Sequence, residues 1–201
     1  MGNRKGFTLI ELLVVVAIIA ILAAIAIPNL LEARTRGAVA RTLADLRTIS
    51  VALEAYQVDS NRYPPHGEVL ASGQVNFPAV AAGITTVEFT PGFPLTTPIA
   101  YLTALPTDPL LKPGAPETLR LYGYIESDLM RTVLLGRGFV DSANGIRPAY
   151  GGWRLYAAGP DGTKGPDMKV NILYDPTNGT LSQGDIVRSQ RDPVLRRAGD
   201  E

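Results

Sequence analysis

Residues 5–13, Lys-Gly-Phe-Thr-Leu-Ile-Glu-Leu-Leu, open an apolar segment that continues to Ile27. From Phe7 to Ile27 the segment has 21 residues, and only Thr8 and Glu11 are polar. Because an α-helix rises about 1.5 Å per residue, the segment would extend roughly 31 Å, about the thickness of the hydrocarbon core of a bilayer. The sequence therefore predicts a membrane-spanning helix at the start of the chain.

Glu11 is the unusual residue of this segment. A carboxylate in the middle of a membrane costs about 2.5–3.5 kcal/mol on insertion scales, and less near an interface. Cleavage between Gly6 and Phe7 would create an α-amine four residues before Glu11, and this amine would be protonated at neutral pH. In a bundle of parallel helices the amine of one subunit could lie against Glu11 of the next. The charge would then favour one register in an assembly.

These residues resemble the processing site and membrane anchor of the type IV pilin and type II secretion pseudopilin superfamily. The resemblance implies cleavage after Gly6 by a prepilin peptidase, N-methylation of the Phe7 amine, an assembly role for the Glu11 carboxylate and a helix bend at Pro28. It divides the chain into a prepilin leader (1–6), a transmembrane and assembly helix (7–28), an amphipathic half of the same helix (29–60), a globular α+β head (61–190) and a charged tail (191–201).

Three other interpretations of the N-terminal segment stay open. A secretory signal peptide would share the basic start and apolar core and could be cut at Ala24-Ile25-Ala26, but its core is usually shorter and lacks an acid such as Glu11. A plain signal anchor would make Glu11 a tolerated accident. Pro28, taken alone, would mark the place where a helix ends.

The flanking charges bear on the membrane topology. Arg4 and Lys5 precede the apolar segment without an acid, and by the positive-inside rule this predicts a cytoplasmic N-terminus. The resemblance implies a bacterial inner membrane protein with a single span, whose head is periplasmic or extracytoplasmic until the subunit enters a filament.

Composition limits the size and chemistry of the rest of the chain. The chain has 201 residues, of which 46% are hydrophobic, enough for one moderate core beyond the membrane segment. Its 19 basic and 19 acidic residues balance, and no basic patch predicts a nucleic acid partner. The chain has no cysteine, which excludes disulfides, zinc–thiolate sites and a thiol nucleophile.

Hydrophobic periodicity predicts that the helix continues beyond the membrane segment. Apolar residues recur at steps of three and four on one face, namely Val39, Leu43, Leu46, Ile49, Leu53 and Tyr56. The predicted opposite face is polar, with Arg36, Arg41, Asp45, Arg47 and Glu54. We expect one long helix, with a bend at Pro28 or Gly37, that ends between Asn61 and Pro65.

The elements predicted for the rest of the chain are short. We expect strands over Ile84–Phe89, Leu119–Ile125, Trp153–Ala158, Lys169–Tyr174 and Asp185–Ser189, a helix over 98–104, and a hairpin turn at Asn178-Gly179. Neighbouring short strands favour an antiparallel sheet. Together with the resemblance, this predicts an α+β, pilin-like fold in which a long N-terminal α-helix packs on a small antiparallel β-sheet.

One loop is a candidate calcium site. Residues 158–162, Ala-Gly-Pro-Asp-Gly, resemble a C-terminal loop of the major, G-like pseudopilins. Asp161, Asp167 and nearby carbonyls would supply the hard oxygen ligands that calcium selects. Lys164 and Lys169 lie among these acids and no EF-hand spacing is present, which favours two aspartates that cap turn amides. No other cofactor is predicted.

No arrangement of residues predicts an enzyme, because the only histidine, His66, lies beside Pro65 without a nucleophile motif. We expect a structural subunit of a type IV pilus-like filament, and favour the major pseudopilin of a type II secretion system, involved in protein export, over an adhesion or motility pilin. Its partners would be a prepilin peptidase, other copies of the chain in a homopolymeric filament, and an inner-membrane secretion or pilus assembly platform. A membrane-anchored extracytoplasmic binding module that presents residues 66–150 to a ligand is the alternative of another class.

Overall fold

A computed structural model describes residues 8–70, 75–76, 86–90, 95–112, 114, 120–136, 138–164, 173–175, 177 and 184–191. The elements, in chain order, are α1 (Leu9–Ser60), β1 (Gly67–Leu70), β2 (Val75–Asn76), β3 (Thr86–Thr90), β4 (Gly123–Glu126), α2 (Ser127–Gly136), α3 (Val140–Tyr150), β5 (Trp153–Ala157) and β6 (Ile186–Ser189). The predicted α+β fold, a long N-terminal helix on a small antiparallel sheet, is confirmed.

Helix α1 has 52 residues and is about 78 Å long. It continues through Pro28 and Gly37, so the interpretation that Pro28 ends a helix is wrong. A proline removes one backbone N–H, and the strong helix formers on both sides maintain the remaining hydrogen bonds. The helix ends as predicted, at Asn61, whose φ of 54° places it in the left-handed region that asparagine tolerates.

The two halves of α1 differ in burial. No described residue before Val39 is buried, whereas the second half buries Val39, Thr42, Leu46, Ile49, Ser50, Ala52 and Leu53. The predicted apolar face is right except at Leu43, which is 48% exposed. The predicted polar face is wrong at Asp45 and Glu54, because both carboxylates accept hydrogen bonds from the head.

Two three-stranded antiparallel sheets form the head, in the orders β2-β1-β3 and β4-β5-β6. Strand β5 is central in the second sheet, where Leu155 pairs with Tyr124 of β4 and Arg188 of β6. Helix α1 contacts β5 and β6. The Nε of Arg188 also donates to Ser50 Oγ at 3.1 Å, which links β6 to the helix.

The core lies between the second half of α1 and the β4-β5-β6 sheet. Its fully buried members include Leu46, Ile49, Leu53, Leu95, Tyr122, Tyr124, Trp153, Leu155, Ala157 and Ile186. This burial holds the second half of α1 on the head and leaves the first half free to project.

The predicted helix over 98–104 is wrong. These residues form a series of bends, and the backbone N–H of Leu102 donates to the Leu95 carbonyl at 2.9 Å, not to residue 98 as in a helix. That bond buries Leu102 against the core, and tertiary packing therefore overrides the local capping signal. Two helices were missed, α2 and α3, which lie between β4 and β5 in the sequence and pack against each other.

The strand predictions are largely confirmed. β3, β4, β5 and β6 fall on four of the five predicted segments, with the bounds given above. Residues 169–172 and the predicted turn at Asn178-Gly179 lie outside the described residues. Beside them, Leu173 and Asp185 pair in parallel, so the predicted antiparallel hairpin is not formed at these two residues.

Candidate functional site

The N-terminus of α1 is closed by a capping box between Thr8 and Glu11. Thr8 is the N-cap, and the Glu11 backbone N–H donates to its Oγ1 at 3.3 Å. In return the Glu11 carboxylate accepts from the Thr8 N–H at 2.8 Å and from the Thr8 hydroxyl at 2.7 Å. The cap satisfies amides that the first turn of a helix leaves free, and it places a negative charge where the helix dipole favours one. Glu11 thus has partners within its own chain.

The helix that follows this cap presents apolar side chains on all sides. Its most apolar 18-residue window has a mean hydropathy of 3.1 and no buried residue. Among the described residues, α1 is the one helix that is long and apolar enough to cross a membrane. Such a surface needs an apolar surrounding, either lipid or the helices of other subunits.

The predicted processing residues Gly6 and Phe7 lie outside the described residues, whereas Glu11 and Pro28 are both on α1. Glu11 is three residues into the helix and Pro28 is near the end of the apolar segment, about 26 Å apart along the axis at 1.5 Å per residue. They therefore lie near the two ends of the apolar part of α1 and do not form one cluster.

Three acids of the second half of α1 connect it to the head. Asp45 accepts from the Tyr122 hydroxyl at 2.9 Å, and Asp59 accepts from the Tyr101 hydroxyl at 2.9 Å. Both bonds join the helix to segments more than forty residues further along the chain.

Glu54 makes the most extensive of these connections. Its carboxylate accepts from the Trp153 indole N–H at 2.8 Å and from the Tyr63 hydroxyl at 3.0 Å. Burial, together with the neighbouring Glu54, raises the pKa of Tyr63 to about 12. Gln190 extends the network, since its amide donates to the Tyr63 oxygen at 2.7 Å. Sequence periodicity could not identify these bonds, because it assigns Glu54 to solvent.

The loop predicted to bind calcium forms a tight turn. Both oxygens of Asp161 accept hydrogen bonds from Thr163, one from its N–H at 3.1 Å and one from its hydroxyl at 2.8 Å. Asp167 is not described. Within the described part of the chain, no three acidic or histidine side chains are grouped closely enough to hold a metal. One turn-engaged carboxylate does not supply the six to eight oxygens that calcium takes.

The nearby Asp108, which the sequence did not single out, has a structural role. It is fully buried, and its two oxygens accept from the backbone N–H groups of Leu110 at 2.9 Å and Ala158 at 2.7 Å. Burial raises the pKa of Asp108 above its ordinary value, against the opposing effect of these hydrogen bonds. Asp108 fixes the loop after Ala157 to the segment that follows Leu105.

His66 is buried in the head. Its Nδ1 accepts from the Glu126 backbone N–H at 3.1 Å, and burial lowers the pKa of His66 to about 3. Glu126 in turn caps α2 by accepting from the N–H groups of Asp128 and Leu129. This geometry makes His66 a neutral acceptor that joins the segment after α1 to the start of α2.

Comparison with known proteins agrees with the features of α1. The prokaryotic N-terminal methylation motif matches residues 1–27. The type IV wide pilus major component PilA4 of Thermus thermophilus is 53% identical over 72 residues, which are 36% of this chain and 55% of that protein. The type II secretion system core protein G of Dickeya chrysanthemi is 27% identical over 128 residues, which are 61% of this chain and 77% of that protein. The chain is similar to type IV pilins and type II secretion pseudopilins.

The methylation motif covers the start of the chain and the first part of α1, and the matches to relatives are longer than this helix. Core protein G of Aeromonas hydrophila is 35% identical over 79 residues, 39% of this chain and 54% of the relative. The chain spans about half the length of such relatives. No solved structure matches this pilin-like chain.

Proposed function

We propose that this pilin-like chain is the structural subunit of a filament that assembles through α1. The observation that carries the proposal is one continuous helix with two environments. Its first half is apolar and exposed on all sides, and its second half is fixed to the head by a buried face and three carboxylates. The first halves of many copies would pack together and leave the heads outside.

The capping box supports a switch of partners at Glu11. In a lone subunit the carboxylate would be stabilised by Thr8. After cleavage behind Gly6 and methylation of Phe7, it would accept from the protonated amine of an adjoining copy. Charge-assisted hydrogen bonds are worth about 1.5–3 kcal/mol, so a pair that forms only in the correct register would favour that register. A non-enzymatic, structural role follows from this mechanism.

The proposed orientation in the membrane rests on the resemblance of residues 1–6 to a prepilin leader. It does not rest on the numbers of basic residues on the two sides of the apolar segment. Arg34, Arg36, Arg41 and Arg47 follow the apolar segment, and only two basic residues, Arg4 and Lys5, precede it. This count opposes the positive-inside argument made from the N-terminal flank alone. Large domains cross the membrane largely regardless of such counts, and we propose that the head does so here.

Two filament types fit, and each is favoured by a match. The match over 128 residues to a core protein G favours a type II secretion pseudopilus, and the 53% identity to PilA4 over 72 residues favours a type IV pilus. We propose the secretion pseudopilus first, with a prepilin peptidase and an inner-membrane assembly platform as partners. Deleting the gene tests this, since loss of an exported protein with twitching and adhesion intact supports the pseudopilus, and the reverse supports the pilus.

The filament proposal is tested with two single variants. In Gly6→Ala the full-length chain should accumulate with its leader attached. In Glu11→Ala the leader should be removed while filaments are lost from sheared-cell fractions. Glu11→Ala subunits that still assemble normally would contradict the proposed role of the carboxylate. A wild-type chain that is absent from sheared-cell fractions would favour the membrane-anchored binding module.

A further inference from the structure

Four arginines lie on α1 just beyond the apolar segment, and all are exposed or half-exposed: Arg34, Arg36, Arg41 and Arg47. The side chains of Arg36 and Arg41 are 71% and 64% accessible. Glu54 and Asp59, further along the helix, accept hydrogen bonds from aromatic side chains of the head, and Asp45 is shared between the Tyr122 hydroxyl and Arg41. The outward side of this part of α1 is therefore basic.

The helix fixes the height of each arginine above the membrane. Leu31 is the last of the exposed apolar residues that continue from the membrane segment. At 1.5 Å per residue, Arg34 lies about 4.5 Å beyond it, Arg36 about 7.5 Å, Arg41 about 15 Å and Arg47 about 24 Å. The headgroup layer on each side of a bilayer is about 5–7 Å thick. Arg34 and Arg36 are thus at headgroup level, Arg41 can extend toward it, and Arg47 is beyond it.

Local acids compete weakly for these arginines. Arg36 pairs with Glu32 at 2.6 Å in an exposed i,i+4 pair, which contributes little. Arg41 lies 3.7 Å from the half-buried Asp45, a longer contact, and the Asp45 carboxylate also accepts from Tyr122. Arg34 has no acid three or four residues away on the helix, and neither has Arg47. A phosphate offers a guanidinium two parallel hydrogen bonds and a full charge.

We propose that Arg34, assisted by Arg36 and Arg41, binds the phosphates of anionic phospholipids in the leaflet from which α1 emerges. The contact sets the depth and rotation of the unassembled subunit in the membrane, and it is broken when the subunit leaves the bilayer. The proposal rests on the membrane insertion of α1 that the proposed function includes. It does not depend on processing or filament assembly.

Spin-labelled lipids test the proposal in the full chain. The chain is placed in vesicles of phosphatidylcholine and phosphatidylglycerol, and electron paramagnetic resonance measures how strongly each labelled lipid is immobilised at the protein. We expect labelled phosphatidylglycerol to be preferred. The variant R34Q/R36Q should reduce the preference by about fivefold or more, since one basic residue at the surface contributes about 1 kcal/mol. Raising the salt should weaken the preference in the wild type.

R47Q is the matched control, because Arg47 is also exposed and also lacks a helical acid neighbour but lies above the headgroups. Its preference should equal that of the wild type. Arg4 and Lys5 contribute the same to every variant.

Three outcomes would overturn the proposal. The first is an unchanged preference for phosphatidylglycerol in R34Q/R36Q. If this variant also lost the association between copies, the arginines would bind a second copy of the chain and not lipid. An equal loss in R47Q would show a general charge effect. A chain that immobilises neither lipid would show that α1 does not insert, which would also contradict the proposed membrane anchor.

Discussion

Replacing Glu54 with alanine should detach the second half of α1 from the head more than any other single acid on this helix. The change removes the acceptor of the Trp153 indole N–H and of the Tyr63 hydroxyl. Hydrogen bonds to a charged group contribute about 1.5–3 kcal/mol each, and Trp153 is buried, so its N–H would be left without water. Tyr63 is half-buried, so water can accept from its hydroxyl after the change, which limits the loss there. We expect the free energy of unfolding to fall by about 2–4 kcal/mol.

The assay is urea unfolding of the full chain in detergent, followed by fluorescence. Trp153 is the only tryptophan and lies in the contact being tested, so its emission reports the loss of packing on α1. A second reading is the titration of Tyr63. Its pKa of about 12 should move toward the ordinary value of 10 but stay above it, because burial is the larger cause of the shift and Glu54 the smaller.

Asp59→Ala is the matched control. Asp59 lies on the same helix and also accepts from a tyrosine hydroxyl, that of Tyr101, but it is exposed. Its loss should therefore cost less than about 1 kcal/mol. Equal losses in the two variants, or a Glu54→Ala protein as stable as the wild type, would refute the assignment of Glu54 as the main polar link between helix and head.

Three further results are expected. Acidification should destabilise the head through His66, because its pKa is about 3 in the folded chain and 6.5 ordinarily, so only the unfolded chain takes up the proton between these values. This contribution of His66 is present above pH 6.5, is lost as the pH falls toward 3 and amounts to at most about 5 kcal/mol. His66→Asn should remove it from the pH dependence of urea unfolding. Asp108 and Glu126, whose pKa values are raised, act in the opposite direction in both proteins. Gly123→Ala should lower the melting temperature, since a Cβ there would collide with the Tyr156 ring, at a cost of about 1–3 kcal/mol. Gly145→Ala in α3 meets nothing within 4 Å and should be neutral or stabilising. A calcium chelator should leave the melting temperature unchanged if Asp161 serves only its turn with Thr163, and a lower temperature would instead support Asp161 and Asp167 as calcium ligands.

The long helix could be predicted because two strong signals follow each other along it. The apolar run is uninterrupted from Leu12 to Ile27, and the three-and-four spacing from Val39 to Tyr56 matches a buried stripe. Leu43 and Glu54 were misassigned for one physical reason. Periodicity locates the centre of a buried face. Whether a residue at the edge of that face is buried depends on its contacts with the head, and Glu54 accepts hydrogen bonds there from Trp153 and Tyr63.

The head was predicted less well, because its order depends on contacts between distant segments. The Leu102 backbone N–H donates to the Leu95 carbonyl in place of a helical bond. The buried His66 accepts from the backbone N–H of Glu126, sixty residues further along the chain. Helix α3 contains Pro148 and Gly145 and begins without a side-chain cap, so its sequence gives little helical signal. Its packing against α2 provides the stabilisation that local propensity does not.

Of the candidate site residues, Glu11 and Pro28 lie on one long helix, as predicted. The hydrogen bonds between Glu11 and Thr8 in the lone subunit were not predicted. Charge alone pointed to a partner on another copy, although Thr8 lies three residues away and completes a known capping pattern. The processing of Gly6 and Phe7 stays a prediction of the motif.

Intact mass spectrometry of the protein purified from its native membrane, or from sheared filaments, decides whether α1 begins at a freshly exposed amine. We predict a mass that corresponds to residues 7–201 with one added methyl group, and fragment ions that place this methyl on the Phe7 nitrogen. A chain that still begins at Met1, or one trimmed near Ala26, would contradict the filament mechanism, because Glu11 would then have no new amine to meet or would itself be removed.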